Sequence, residues 1–557
     1  MGLFGRKKNK IDEIFEQDKK NQEGERTTEN LKAEAETGAV AGAEVAGDKA
    51  TAKAGNKATA KAGDKATAKA GDKASAKAGQ QEVADKQPAE NTASADEEKK
   101  SKNPPPFTVG VQKLFKVEDS DDLVVLGNVK GEIEKGSALY ITNPGVDGEK
   151  SVTISIVEEL KVIEYEGDSP KNVTVDKAKD TFVTIRVADG MKIPFRVGTV
   201  MFSHEAMTKD IHNAYLDALQ DYYVIRNDMK ISDEEFERMT VTDLAESWAI
   251  YQQYHFRVKK PANQEEVAGL RANIQKFAGM EAKKLLEADH IYCVYSKATG
   301  KPYLFSQTVK REKDYMAAPP EILVYTECYQ PILGKAYNND HFETRRIDNG
   351  EDKKGIFNFF GTAFYIYGAE GVQVCTNQVA VVKEFLVQKP STEGMRPVDI
   401  PVTNPDLVRW MLLLGQLGKP ETEDQKIIFN LYCRFMEREL PKARFLIPMK
   451  TDEETKNALK ESVDPATGKT EVKADSKFKI ATMKGKQDRD AVRLYTDWNT
   501  LYENFDKTWS GMVQNIDGMI EIFDCAINVG DHPQAGIYVD KNMFEEMKAR
   551  NSKSANK

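Results

Sequence analysis

The residue types that do chemistry are present but dispersed. The six histidines are His204, His212, His255, His290, His341 and His532. His204-Glu205 could open a zinc-binding HExxH helix, yet Thr208 stands where the second histidine belongs, and no two histidines share a metal-ligand spacing. Five cysteines (Cys293, Cys328, Cys375, Cys433, Cys525) lie far apart with no CxxC pair. That is the pattern of buried thiols in a reducing compartment. Gly468-Lys469-Thr470 matches the end of a phosphate loop, but the loop needs a glycine five residues earlier and Val463 stands there. Asp464 to Gly468 is a turn signal instead. There is no GxSxG elbow. The spacings therefore assign no catalytic residue, no cofactor and no metal. A Cys–His pair assembled by the fold is the one nucleophile they leave open.

The elements that would position such residues divide the chain unevenly. Of 557 residues, 80 are basic and 89 acidic, a net charge of −9. Residues 1–106 contain no Trp, Tyr or Cys and are nearly neutral, with 20 basic and 19 acidic residues, so the net negative charge belongs to the remaining 451 residues. An acidic body argues against nucleic-acid binding as its main work. No stretch approaches the roughly 18 apolar residues of a membrane span, and the start lacks a secretory h-region. The expected location is cytoplasmic.

Residues 47–78 repeat with a period of eight, as in GDKATAKA. Nothing there larger than alanine can be buried, so the sequence predicts a disordered tail over 1–106 that serves as a tether. Its first residues differ. Leu3, Phe4, Ile11, Ile14 and Phe15 share one helical face, beside Arg6, Lys7, Lys8 and Lys10. Such a basic amphipathic segment suits a partner protein or peripheral contact with an anionic membrane surface.

Residues 107–203 alternate apolar and polar with period two, as in Val109 and Val111, Leu123 to Leu126, Val152, Ile154 and Ile156, and Val183, Ile185 and Val187. Glycine and Asp/Asn clusters separate the runs, which predicts an all-β barrel. The run Gly127-Asn-Val-Lys-Gly131-Glu-Ile-Glu-Lys-Gly136-Ser-Ala-Leu-Tyr-Ile resembles the second, β-barrel domain of translation-factor GTPases. Lys177 and Lys179 depart from that pattern, and a GTPase domain does not precede it. The resemblance implies a barrel that could touch a ribosome or RNA, without a nucleotide switch.

A helical bridge is expected over 204–289. One helix runs about 206–224. Ser232 and Glu235 form a capping box for a second through Tyr251, and Asn263 to Glu266 opens a third. Two later segments then share a plan. Each has a strand, an Ala-Thr-Gly-Lys turn, and a strand ending in Tyr-Thr-acid. These endings are Tyr325-Thr326-Glu327 and Tyr495-Thr496-Asp497-Trp498. The threonines are expected to cap the helix that follows.

The second segment, about 404–547, resembles the SseB N-terminal domain family. The likeness rests on Asn404-Pro405, Phe445-Leu-Ile-Pro448, Leu494-Tyr-Thr-Asp-Trp498, Asp517-Gly-Met-Ile-Glu-Ile and Gly536-Ile-Tyr-Val. The first, 290–400 with a leading helix from about 264, resembles a diverged copy that carries an insertion at Asp340–Gly355. The resemblance implies an intracellular bacterial α/β domain, and its serine-sensitivity label is the only hint of an enzyme of serine or sulfur metabolism. The expectation is a multidomain chain: tail, all-β barrel, helical bridge, two SseB-like mixed α/β domains (the second over 401–547) and a disordered 548–557. Its expected work is that of a protein-binding adaptor. The candidate contact residues are Leu3, Phe4, Arg6, Lys7, Lys8, Tyr325, Thr326, Tyr495, Thr496 and Trp498.

Overall fold

The structure, a computed structural model, describes residues 106–148, 152–166, 169–226, 231–311, 314–375, 379–464, 477–485 and 489–555. The amphipathic start with Leu3, Phe4, Arg6, Lys7 and Lys8, the octapeptide repeats and Gly468-Lys469-Thr470 lie outside them. Residues 103–557 form one unit.

Nine strands build the first part: β1 (Thr108–Lys116), β2 (Leu123–Lys130), β3 (Glu132–Glu134), β4 (Ala138–Thr142), β5 (Thr153–Glu166), β6 (Ser169–Thr174), β7 (Lys177–Lys179), β8 (Phe182–Val187) and β9 (Val200–Phe202). The order β4-β9-β1-β2-β8-β5 closes because β5 pairs back onto β4, giving a six-stranded barrel. Closure removes the sheet edges that would otherwise invite pairing. Val109, Val111, Val125, Val183, Ile185 and Met201 fill the interior. Gly131 (φ +89°) and Gly136 (φ +84°), two of the motif glycines, sit in left-handed turns that disfavour any side chain.

Four helices follow: α1 (Thr208–Leu219), α2 (Asp233–Arg238), α3 (Val241–Gln252) and α4 (Gln264–Glu287). Ser232 and Glu235 form the expected capping box. The helix it opens is short, however. Met239 is extended and Thr240 with Asp243 forms a second capping box, so the apolar run to Tyr251 is two helices. Asn263 accepts from the Glu266 N–H and starts α4. Gly110 on β1 faces the α1 backbone, where a Cβ would lie 2.3 Å from the Ala214 carbonyl oxygen. The barrel and α1 therefore touch backbone to backbone.

The first α/β sheet contains β10 (His290–Ser296), β11 (Leu304–Phe305), β14 (Glu321–Tyr325), β15 (Phe342–Asp348), β16 (Gly371–Val374) and β17 (Ala380–Val382), with a hairpin of β12 (Thr308–Arg311) and β13 (Asp314–Ala317) beside it. Its order is β15-β10-β14-β16-β17, with β11 also on β14. Helix α5 (Gly355–Tyr365) packs Ile356, Phe360 and Phe364 into its core. That core is continuous with the bridge helices, through Phe277, Trp248 and Tyr251.

The second α/β region has helices α6 (Pro405–Leu417), α7 (Glu423–Glu439), α8 (Glu453–Glu461), α9 (Trp498–Asn504), α10 (Ile516–Ile520) and α11 (Lys541–Ala555). Its strands are β18 (Phe445–Thr451), β19 (Phe478–Ile480), β20 (Thr482–Lys484), β21 (Asp490–Leu494), β22 (Ser510–Gln514), β23 (Asp524–Ile527) and β24 (Ile537–Val539). They pair as β19-β18-β22 and β20-β21-β23-β24, and an antiparallel bridge between Leu446 and Tyr495 joins β18 to β21. The resulting order β22-β18-β21-β23-β24 repeats that of the first sheet, strand for strand. The registers agree too. Tyr292 opposes Tyr325 and Arg346 in the first sheet, and Leu446 opposes Tyr495 and Val513 in the second.

This equivalence corrects the insertion expected at Asp340–Gly355. The segment contains the whole of β15, the edge strand that matches β22. The copies differ in the character of that edge. β15 carries Glu343, Arg345, Arg346 and Asp348, whereas β22 reads Ser-Gly-Met-Val-Gln without a charge. Helix α6 joins the copies: Val408, Leu412 and Leu413 enter the first core, and Leu407 and Met411 enter the second.

Candidate functional site

Three places bring polar or apolar groups together in ways that packing alone does not demand. Two are the C-terminal ends of the parallel strand pairs, where α/β sheets commonly hold ligands. The third is the outer wall of the barrel.

In the first sheet the strand end is closed. Thr326 is buried and its Oγ1 lies 2.8 Å from Oγ1 of Thr242 on α3 and 4.0 Å from Cys375 Sγ. It makes no cap for the short turn that follows, contrary to the expected role. Glu327 points away as well, and accepts from Tyr292 Oη at 2.8 Å, with His290 Nε2 3.1 Å from the same oxygen. Tyr325 is buried and stacks on Tyr292 with centroids 5.5 Å apart. Helix α3 adds Glu246, which accepts from Tyr329 Oη, and burial pushes that carboxyl up to about 7. Glu281 on α4 is fully buried, and among the described residues neither of its oxygens has a hydrogen-bond partner. Burial holds it well above the ordinary carboxylate range.

One turn earlier on α3, Asp243 ties this region to the barrel. It pairs with Arg196, and its Oδ1 accepts from Tyr215 Oη at 2.8 Å. Asp147, in the loop after β4, accepts from both the backbone N–H and the thiol of Cys328 at 2.9 Å.

In the second sheet the end is satisfied locally. Asn528 donates from Nδ2 to Thr496 Oγ1 at 2.8 Å and accepts from the Thr496 N–H at 3.0 Å. The cap of α9 is Asp497, not Thr496. Asp497 Oδ1 accepts from the Thr500 N–H, and Oδ2 accepts from both threonine hydroxyls. An aspartate at the N-cap position reaches the backbone that a preceding threonine cannot. Tyr495 and Thr496 are buried, and half-buried Trp498 stacks on Tyr502. The four Tyr-Thr residues are thus placed inside the molecule. Beside them lies an open cleft of about 460 Å³, lined among others by Arg493, Asn504, Gly530 and Asp531. Arg493 donates to the Val529 carbonyl at 2.6 Å.

Burial pushes all five thiols up, Cys433 to about 11 and Cys525 to about 12. None is poised as a thiolate. Among the described residues no group of three His, Cys, Asp or Glu side chains could hold a metal ion.

The barrel wall was the least expected of the three. The period-two run on β5 is real, but its apolar residues face outward: Val152 is 46% exposed, Ile154 63% and Ile156 53%. The barrel core takes Val157 and Leu160 from this strand, and the register shifts between Val157 and Glu159 where β5 meets β8. Across the wall, Ala138 opposes Ile156 and Tyr140 opposes Ile154. Tyr140 in turn packs on Phe202 with ring centroids 5.9 Å apart. Apolar stripes of this kind on a charged protein mark interaction surfaces.

No family model matches the chain, so the SseB likeness rests on sequence motifs alone. No curated protein matches it either. Among solved structures, the crystal structure of GDP-bound aIF5B from Aeropyrum pernix aligns over 39% of this chain and 50% of that one, with 11% identity and a TM-score of 0.16. The chain thus spans about half the length of that structure, and so slight a likeness carries no functional argument. No helix among the described residues is long and apolar enough to cross a membrane.

Proposed function

We propose that the protein is a cytoplasmic protein-binding adaptor of SseB-like character. Its barrel wall is the contact surface, and the two α/β sheets are the rigid body that presents it. The observation that carries this reading is the exposed Val152, Ile154 and Ile156 stripe. Three apolar side chains on one strand face cost solvation that a partner's cover would recover, at roughly 25 cal/mol per Å². The polar joint of Arg196 and Asp243 fixes the barrel to the bridge, so the stripe is held in one orientation.

The test is a photo-crosslinking residue at Ile154 in living cells, with Phe115 as the control. Phe115 is 50% exposed on β1, which does not neighbour β5. The reading expects discrete protein adducts at Ile154 that disappear with Ile156→Glu. Equal labelling at both positions overturns it.

A second reading, association with the ribosome, draws on the left-handed Gly131 and Gly136 in a closed six-stranded barrel. It expects co-sedimentation with ribosomes at low salt, and its absence there removes it.

A further inference from the structure

We propose that β22 is a pairing edge for a second copy of this chain, joined antiparallel about a two-fold axis through Met512. The surface is separate from the barrel stripe and does not depend on the reading built on it.

The first observation is where the backbone of β22 points. Leu446 donates to Tyr495 and accepts from it, so both of its backbone groups face β21. Val513, its register partner on the other side, therefore sits in a non-hydrogen-bonded pair and turns its own N–H and carbonyl away from β18. Gly511 does the same. It opposes Pro448, which has no N–H and whose carbonyl accepts from Ala481 at 3.1 Å. Among the described residues no hydrogen bond meets these outward groups. β22 ends its sheet, and Ser510-Gly-Met-Val-Gln514 has no charge, no proline and no bulge to guard it. At the same place in the first sheet β15 is guarded by Glu343, Arg345, Arg346 and Asp348.

The edge also complements itself. Gly511 and Val513 share a face with Leu446, which clusters with Tyr495 and Leu501 under Trp498. A Cβ on Gly511 would lie 2.7 Å from the Trp498 ring, so the indole fills the space the glycine leaves. That layer stops unfinished at the edge: Val513 is 37% exposed, and Tyr502, stacked on Trp498, is 44% exposed. In an antiparallel pair centred on Met512, Gly511 of one copy opposes Val513 of the other. The two exchange the backbone bonds that each turns outward, and each Val513 enters beside the other copy's Trp498. Charge fits as well. Exposed Lys507 precedes the strand and exposed Asp517, which Lys548 meets at 3.2 Å, follows it. Antiparallel pairing sets the start of each strand beside the end of the other, which brings these opposite charges together. Asp506, the acid before Lys507, is occupied by the Thr508 N–H. A strand this short buries little area, so the pairing is weak and driven by concentration. The dimer presents the barrel wall twice, the arrangement from which a two-site target gains avidity.

The experiment is sedimentation velocity on the full chain under reducing conditions, over about a hundredfold range of concentration. The expected result is a sedimentation coefficient that climbs from monomer toward dimer. Val513→Pro removes one outward N–H and no bond to β18, a change that edge strands tolerate. It is expected to weaken the association about tenfold or more with an unchanged circular dichroism spectrum, and Val513→Lys to do so through charge. Met512→Cys places two thiols across the axis, where the Cα atoms of a non-hydrogen-bonded pair stand about 4.5 Å apart, within disulfide range. On mild oxidation it is expected to yield a covalent dimer that the wild type does not. A monomer throughout the concentration range overturns the inference. So does a dimer that survives both Val513 variants, or the absence of a disulfide in the Met512→Cys protein. Adducts at Ile154 report on the barrel stripe separately, so either proposal can fall without the other.

Discussion

Just past β16 the chain turns through Cys375 at φ +56°, and just past β23 through Asn528 at φ +51°. Each backbone N–H bonds the equivalent carbonyl of the neighbouring parallel strand, Val324 in one case and Leu494 in the other. The backbone device is the same; the side chains are not. Asn528 bonds Thr496 twice, and Asp497 caps the next helix, so the second sheet needs nothing from outside to finish its strand end. Cys375 offers only a sulfur at 4.0 Å, and Thr326 turns to Thr242 on the bridge. The first sheet is thus a joint, finished by α3 and, through Asp243, by the barrel. The second is self-sufficient and leaves an open cleft beside Arg493, where the first has buried Leu323. Duplicated topology fixes the backbone hydrogen bonds, while a few side chains decide whether a copy becomes a hinge-point of the assembly or an independent surface.

The strongest way to break this comparison is Asp243→Ala. It strands Arg196 in a largely buried position, and loss of one partner of a buried pair costs about 3–5 kcal/mol. Urea denaturation measures it; a change as small as that of a surface substitution refutes the joint.

Next is the pH dependence of the closed end. The Glu246 carboxyl stands near 7 when folded, above its unfolded value. It therefore contributes stability that is fully present below about pH 4.5 and lost as pH rises through 7, on the order of 3 kcal/mol. The melting temperature is expected to climb between pH 8 and pH 5.5, and Glu246→Gln to make that climb shallower, with the rest carried by the buried Glu281. An unchanged slope in the variant shows that the effect lies elsewhere.

Asp497→Ala removes one helix cap and is expected to cost about 1–2 kcal/mol. If it matches Asp243→Ala in the same denaturation series, the two ends are not closed differently.

The smallest effect concerns the edges. Val513→Lys on β22 leaves stability within about 0.5 kcal/mol, yet reduces light scattering on heating. Arg346→Val on β15 raises it. Equal scattering in both variants dissolves the contrast between the strands.

Much of this was legible in the residues. Strand–turn glycines marked the barrel, Ser232/Glu235 and Asn263 marked helix starts, and the Tyr-Thr-acid pair marked the repeat. What was not legible has physical reasons. Alternation tells that Val152, Ile154 and Ile156 share a face but not which face, because a barrel wall and a barrel core have the same period. Thr496 and Asp497 are both good caps on paper, and only the backbone path chooses between them. The segment 340–355 looked like an insertion because a charged edge strand lacks the apolar signature by which strands are found. Glu246 and Glu281 sit among helix-forming residues whose burial depends on elements distant in sequence.

That charged edge strand has a bearing on how the molecule is made. The first sheet emerges during synthesis before any of the second exists, and the outer edge of β15, whose inner edge pairs with β10, is then exposed on a half-built protein. Its Glu343, Arg345, Arg346 and Asp348 repel the stacking of neighbouring nascent chains. The uncharged β22 emerges only after every element of the first sheet, with β23 and β24 of its own sheet still to follow.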